Sequence, residues 1–460
     1  MPSARQVFSA SIVLMLGFVA AASIMVAPEW ADAASADTIR FQPQLYTQDE
    51  DSEPRLADTL EFEPLPLHSQ DEDSEVRLRD QQGVGPRDPA MEPRWLQHPF
   101  RLPLSSNREN MPLGPARRTN LGIVFDYNRV DEVRTGLTYE YRPRPGWTPR
   151  LAGRIEYTTV RHDWLYGVQV EQPLHSENRV AVGFSAFRKT GHIELQQVSN
   201  IENSLALLLG RQDYRDYFDR EGFGGYLALR WPGVTTFSLH ARNDDYRSLE
   251  TFYGTTSWFH ANRDLRENPP IEEGESHLMA VRFERMRPGR EGFHHWVEFE
   301  TSGGGLGGDF DYRRLLADVR NVFRLSPSST LTVRGVAGSN LDGHLPPQRG
   351  FTVGGVDGLR AHSFAYFHGD QVALGQLEYS MSIGKFQSSG FESGIHGIVF
   401  LDTGRAWNHP GQWDVTHQPF ETDAGFGLST SEETLRIYFA KNLQDSGSDI
   451  VVSARLQRPF

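Results

Sequence analysis

Met279-Ala280-Val281-Arg282-Phe283-Glu284 decides how this chain is read. Met, Val and Phe take the odd positions; Ala, Arg and Glu take the even ones. A period of two belongs to an extended strand, whose successive side chains point to opposite faces. The pattern recurs on both sides of this stretch. Val297 and Phe299 alternate with Glu298 and Glu300, and Leu137, Tyr139 and Tyr141 with Thr138, Glu140 and Arg142. Leu315, Ala317 and Val319 alternate with Arg314, Asp318 and Arg320. In a soluble sandwich the charged face looks out to water. Charges repeated strand after strand fit the reverse arrangement equally: an apolar face against lipid and a charged face lining a wet interior.

Worked outward from residues 279–284, the alternation predicts about sixteen segments of roughly ten residues each between Leu121 and Phe460, the length a tilted strand needs to cross a membrane. The approximate spans are 119–128, 133–143, 148–158, 163–174, 178–188, 222–231, 234–244, 276–287, 291–302, 310–323, 328–338, 371–383, 393–403, 421–430, 433–442 and 448–460. Links after even-numbered segments are short and rich in Pro, Gly or Ser, such as Pro143 to Gly146 and Trp231 to Gly233. The long inserts, 189–221, 245–275, 339–370 and 404–420, all follow odd-numbered segments. With the first strand rising from the periplasmic side, every long insert lies outside the cell. The predicted fold class is therefore all-β: a 16-stranded antiparallel transmembrane β-barrel of the outer membrane.

Composition agrees. Mean hydropathy is -0.50 over 460 residues, far too polar for a helical membrane protein, while a barrel needs only its outer half to be apolar. After the N-terminal run no stretch approaches ~18 consecutive apolar residues, so any span must be a closed sheet that satisfies its own backbone groups. The formal net charge of -14 leaves no basic surplus to displace counterions, which argues against a nucleic-acid partner. Cysteine is absent, excluding disulfides and thiolate metal sites.

Arg5 followed by the apolar body Ile12 to Ala27, then Ala31-Asp32-Ala33 and Ala34-Ser35-Ala36, predicts a signal peptide over 1–36 removed after Ala36. Residues 37–117 are acidic and Pro-rich, and they predict a disordered periplasmic arm. The tract Gln48 to Asp58 recurs there as Gln70 to Asp80, too few copies for a solenoid. The barrel is expected over 118–460.

The C-terminal third carries specific motifs. Phe351-Thr352-Val353-Gly354-Gly355-Val356-Asp357-Gly358-Leu359-Arg360 precedes Gly375-Gln376-Leu377-Glu378-Tyr379, and then Val399-Phe400-Leu401-Asp402-Thr403-Gly404. In this order they resemble the Omp85 (bacterial surface antigen) superfamily over about the last 110 residues. The resemblance implies that loop six folds back into the lumen, led by Gly354, Gly355, Leu359 and Arg360. Alternation agrees independently. Leu377, Tyr379 and Met381 face lipid, which turns Glu378 inward, and Ile395, Val399 and Leu401 turn Phe400 and Asp402 inward. Arg360 is the natural cation to meet the two carboxylates, bidentately. Ala361 and His362 replace the family's usual glycine and aromatic at the loop tip. The amphipathic last strand, with Leu456 and Phe460 on its apolar side, resembles the signal read by the barrel-assembly machinery; Arg458 departs from it.

No βααββ pattern precedes the barrel, so the chain resembles the short subgroup without POTRA domains. Phe125-Asp126-Tyr127-Asn128-Arg129-Val130, Glu202-Asn203-Ser204-Leu205 and Asp213-Tyr214-Arg215-Asp216-Tyr217-Phe218 are similar to tracts of that subgroup. Leu205, Leu208 and Leu209 have helical spacing and predict a short surface helix.

The resemblance implies protein translocation or insertion at the outer membrane, with client delivery by a periplasmic protein partner or by the acidic arm. The alternatives are a passive or gated pore and a surface hydrolase. Against an enzyme, there is no His-Glu-x-x-His and no Gly-x-Ser-x-Gly elbow; Gly183 to Phe187 lacks the second glycine. His294 and His295 point to opposite faces, and Glu272, Glu273 and Glu275 read as a solvated acidic loop. No cofactor or metal is expected. The expected partners are outer-membrane lipids with lipopolysaccharide, and the assembly machinery during biogenesis; homodimerisation is left open.

Overall fold

The computed structural model describes residues 110–112, 119–141, 143, 146–175, 179–195, 198–231, 235–259, 264–285, 291–388, 391–408, 415, 418–430 and 435–456. The predicted signal peptide, the arm apart from 110–112, the duplicated acidic tract and Phe460 lie outside these residues.

A short strand β1 (Asn110–Pro112) comes first. The long strands begin with β2 (Thr119–Asn128), β3 (Glu132–Tyr141), β4 (Arg150–Thr158), β5 (Trp164–Pro173) and β6 (Val180–His192). Helix α1 (Asn200–Gly210) follows. Next come β7 (Tyr217–Arg230), β8 (Thr236–Ser248), β9 (Gly274–Arg285), β10 (Gly292–Ser302), β11 (Tyr312–Ser326) and β12 (Ser329–Gly343). A two-stranded ribbon, β13 (Phe351–Val353) and β14 (Phe367–Gly369), interrupts the series. The last five are β15 (Gln371–Ser388), β16 (Phe391–Trp407), β17 (Glu421–Thr430), β18 (Arg436–Asn442) and β19 (Val451–Arg455).

The sixteen long strands form one antiparallel sheet in chain order, with β12 pairing β15 across the ribbon. On the outer side of β2, Asn110 of β1 stands opposite Val124. Among the described residues no ladder joins β19 to β2. No helix among them is long and apolar enough to cross a membrane.

The alternation sorts the two faces. Leu137, Tyr139, Ile155, Phe283 and Val399 are exposed outside, whereas Glu140, Glu156, Arg282, Glu298 and Asp402 are buried inside. Leaving one large apolar side chain in water costs roughly 1.5–3 kcal/mol, so an outer band of this extent calls for an apolar surrounding rather than solvent. Inside, buried charges occur as pairs, as their desolvation demands. Arg134 lies 2.8 Å from Asp126, Arg220 3.0 Å from Asp244, and Arg320 and Arg334 lie 3.0 and 2.9 Å from Asp318.

The long connections, 193–216, 249–273, 344–370 and 408–420, all leave the same end of the sheet. They are shorter than the inserts expected from sequence, because several strands run on: β6 to His192, β7 from Tyr217, β8 to Ser248 and β12 to Gly343. There the outer face turns polar, as at Arg247 beside Asp245. The backbone ladder continues, but the alternation that reveals a strand has ended.

Candidate functional site

The connection 344–370 returns into the interior. Gly354 and Gly355 turn the chain with φ of 133° and 79°. A Cβ on Gly354 would lie 2.5 Å from the Ser363 carbonyl oxygen, so only glycine fits there. The tip is closed by its own backbone: Gly355 N–H donates to Leu359 O (3.0 Å) and His362 O (3.2 Å), and His362 N–H to Leu359 O (3.1 Å). Phe351, Val353, Leu359 and Arg360 are buried as a result.

Register determines what Arg360 meets. Glu378 of β15 stands opposite Phe400 of β16, and Gln376 opposite Asp402, so the two carboxylates are diagonal neighbours on the inner face. Arg360 Nη1 lies 3.0 Å from Glu378 Oε2, and its Nε 3.3 Å from Asp402 Oδ2. None of the three guanidinium nitrogens is in hydrogen-bond geometry, so both contacts are ion pairs and not the bidentate grip expected from sequence. The guanidinium carbon sits over the rings of Phe400 (4.2 Å) and Tyr438 (4.4 Å). Arg436 also pairs with Glu378, and Tyr438 Oη donates to it at 3.1 Å.

Asp402 stands directly opposite Asp423 of β17. Two like charges so placed repel unless each is satisfied. Gln376 Nε2 donates to Asp402 (3.2 Å) and to Gly358 O (3.0 Å), which ties the loop to the wall. Ala361 N–H donates to Asp423 Oδ2 (2.7 Å), and His362 Nδ1 lies 3.2 Å from the same oxygen. Arg360 thus supplies a cation to Asp402, and Ala361 a backbone donor to Asp423, with the His362 ring beside it. The departure from the family pattern at Ala361 and His362 becomes intelligible: the small side chain packs beside Phe400 and Tyr438, and the imidazole addresses Asp423.

The base of the loop is anchored separately. Arg349 pairs with Glu300 at 2.6 Å and lies 3.6 Å from Glu194, which is 2.9 Å from Arg314. Burial works to raise the Glu194 carboxyl, but Arg349 and Arg314 outweigh it and hold the group below its ordinary value.

Alternation located Glu378, Phe400 and Asp402 on the inner face. It equally turns Arg436 and Tyr438 inward, yet it could not pair them with a strand almost sixty residues away. Asp423, Asp357 and Arg455 were also missed. Leu456 is half-buried just past β19.

The expected short helix appears at Asn200–Gly210, with Ile201 and Leu209 exposed, but its buried side is not the leucine stripe that predicted it. Its buried side is Asn200, Glu202, Asn203, Ser204 and Leu207, whereas Leu209 is 39% exposed. The reason is polar. The two tracts noted near residues 125 and 213 meet beneath it. Arg129 lies 3.3 Å from Asp213 and 3.1 Å from Asp216, and Asn203 Nδ2 donates to Asp213 at 3.1 Å. Among the described residues no group of three or more His, Asp or Glu could hold a metal.

Fold and site together define a class: a sixteen-stranded antiparallel barrel sheet whose polar interior holds one of its own long loops. Within that class the solved structure of BamA from Haemophilus ducreyi lacking POTRA domains 1–3 is similar, with a TM-score of 0.50 at 13% identity over 74% of this chain and 70% of that one. CdiB from Escherichia coli aligns at 12% identity and TM-score 0.44, over 74% of this chain and 62% of that one. CdiB from Acinetobacter baumannii aligns at 12% and 0.39, over 74% and 59%. The fold is thus of the BamA barrel type, the fold that the resemblance to Omp85 proteins implied. No family model and no curated protein matches the chain.

Proposed function

We propose that the chain is an outer-membrane barrel of the Omp85 kind that translocates or inserts protein segments, with loop 344–370 as a plug and Arg360 as its latch. The observation that carries this reading is the seating of Arg360 between Phe400 and Tyr438, against Glu378 and Asp402. An open pore has no use for a loop held by buried charges on five different strands: Glu300, Glu378, Asp402, Asp423 and Arg455. The apolar outer band supports membrane residence, and the order of motifs around the latch supports the kind of function. Client delivery falls to a periplasmic protein partner.

The test is planar-bilayer conductance of the folded, reconstituted chain beside a variant in which 344–370 is replaced by a short Gly-Ser linker. The expected result is a quiet wild type and an open variant. Equal, steady conductance in both would remove the plug and favour a passive pore.

A further inference from the structure

Among the described residues the two terminal strands of the sheet are not joined to each other: β2 meets only the three-residue β1 on its open edge, and β19 pairs with β18 alone, so both present exposed hydrogen-bonding surface that needs holding. The described residues place one rigid element against both. Helix α1 starts at Ser199, whose hydroxyl accepts the Glu202 N–H at 3.2 Å, and ends at Arg211 in the left-handed conformation (φ 54°). From its first turns two side chains reach in different directions. Ser204 Oγ accepts the Tyr127 N–H at 2.7 Å and lies 3.3 Å from Asp126 Oδ1, so it holds the end of β2. Glu202 Oε1 lies 2.9 Å from Arg455 Nε on β19, with both side chains buried. The two residues are neighbours on one helix, so the spacing between their grips is rigid.

Arg455 has a second engagement. Its Nη1 pairs with Asp357 and donates to Val356 O at 3.3 Å, both in the loop that carries Arg360. We propose that α1 is a clasp across the barrel's two terminal strands, with Glu202 gripping β19 and Ser204 gripping β2. Arg455 makes release of that clasp and release of the interior loop a single event. This rests on the barrel and its edges, not on what the barrel carries.

The test is amide hydrogen exchange on the full chain folded in lipid, comparing wild type with Ser204→Ala and Glu202→Gln. Ser204→Ala removes one hydroxyl and keeps the fold. The expected result is at least ~10-fold faster exchange in 119–128 for Ser204→Ala and in 451–456 for Glu202→Gln, with 312–343 unchanged. Acceleration confined to 200–210, or acceleration spread evenly over every strand, would overturn the clasp. If Glu202→Gln does not fold, Ser204→Ala decides: exchange at the wild-type rate in 119–128 refutes it.

Discussion

Arg360 shows how a single buried side chain organises its surroundings. Its loss does not fall evenly on its two partners. Glu378 keeps Arg436 and Tyr438, whereas Asp402 keeps Gln376 and faces Asp423 across the ladder. Removing one partner of a buried pair costs about 3–5 kcal/mol, because the other charge is stranded. Arg360→Ala is therefore expected to destabilise the reconstituted barrel by that amount in denaturant unfolding. Asp402→Asn added to Arg360→Ala is expected to recover more than half, while Glu378→Gln added to it recovers little. Equal recovery from both would show that the burden is shared. The two acidic residues could be read from sequence because alternation turns them inward. Asp423, which engages Ala361 and His362, could not: facing inward says nothing about which loop arrives from sixty residues away.

At the scale of elements, the strands were legible wherever lipid-facing side chains are apolar, and illegible above that band. β7 and β8 run on through Asp219, Arg220, Asp244 and Tyr246, where polar pairs such as Arg220 with Asp244 and Arg188 with Asp219 take the place of apolar outer side chains. Helix α1 was legible as a helix but not by its buried side: Leu208 and Leu209 carry the periodicity, yet Asn203 and Ser204 carry the contacts. The band itself can be tested. Val399, the middle residue of β16, is 62% exposed on the outer face. Val399→Arg is expected to cost about 2–4 kcal/mol in folding into lipid vesicles, and Leu443→Arg, in the β18–β19 connection, about 0–1 kcal/mol. Matching costs at the two sites would mean that the band does not face hydrocarbon.

Over the whole molecule, two long connections meet at Glu194, and their joint is sensitive to acid. The Glu194 carboxyl titrates below its ordinary value in the folded chain, so it contributes stability above the unfolded pKa, and that contribution is lost as pH falls through the folded one. Exchange protection of 344–353 is expected to drop on acidification below about pH 4, near the free-carboxyl value. Glu194→Gln is expected to show the drop already at neutral pH and to lose the acid response; a variant that keeps the wild-type acid profile would place the titrating group elsewhere. Arg455, held at once by Glu202 and Asp357, has a wider consequence. Two equilibria that share one residue are thermodynamically linked, and linkage is reciprocal. Whatever factor a ligand drawing out the interior loop applies to the parting of β2 and β19, a strand captured at those edges must apply to the loop's escape. A signal given on one side of the wall is then felt on the other without any further moving part.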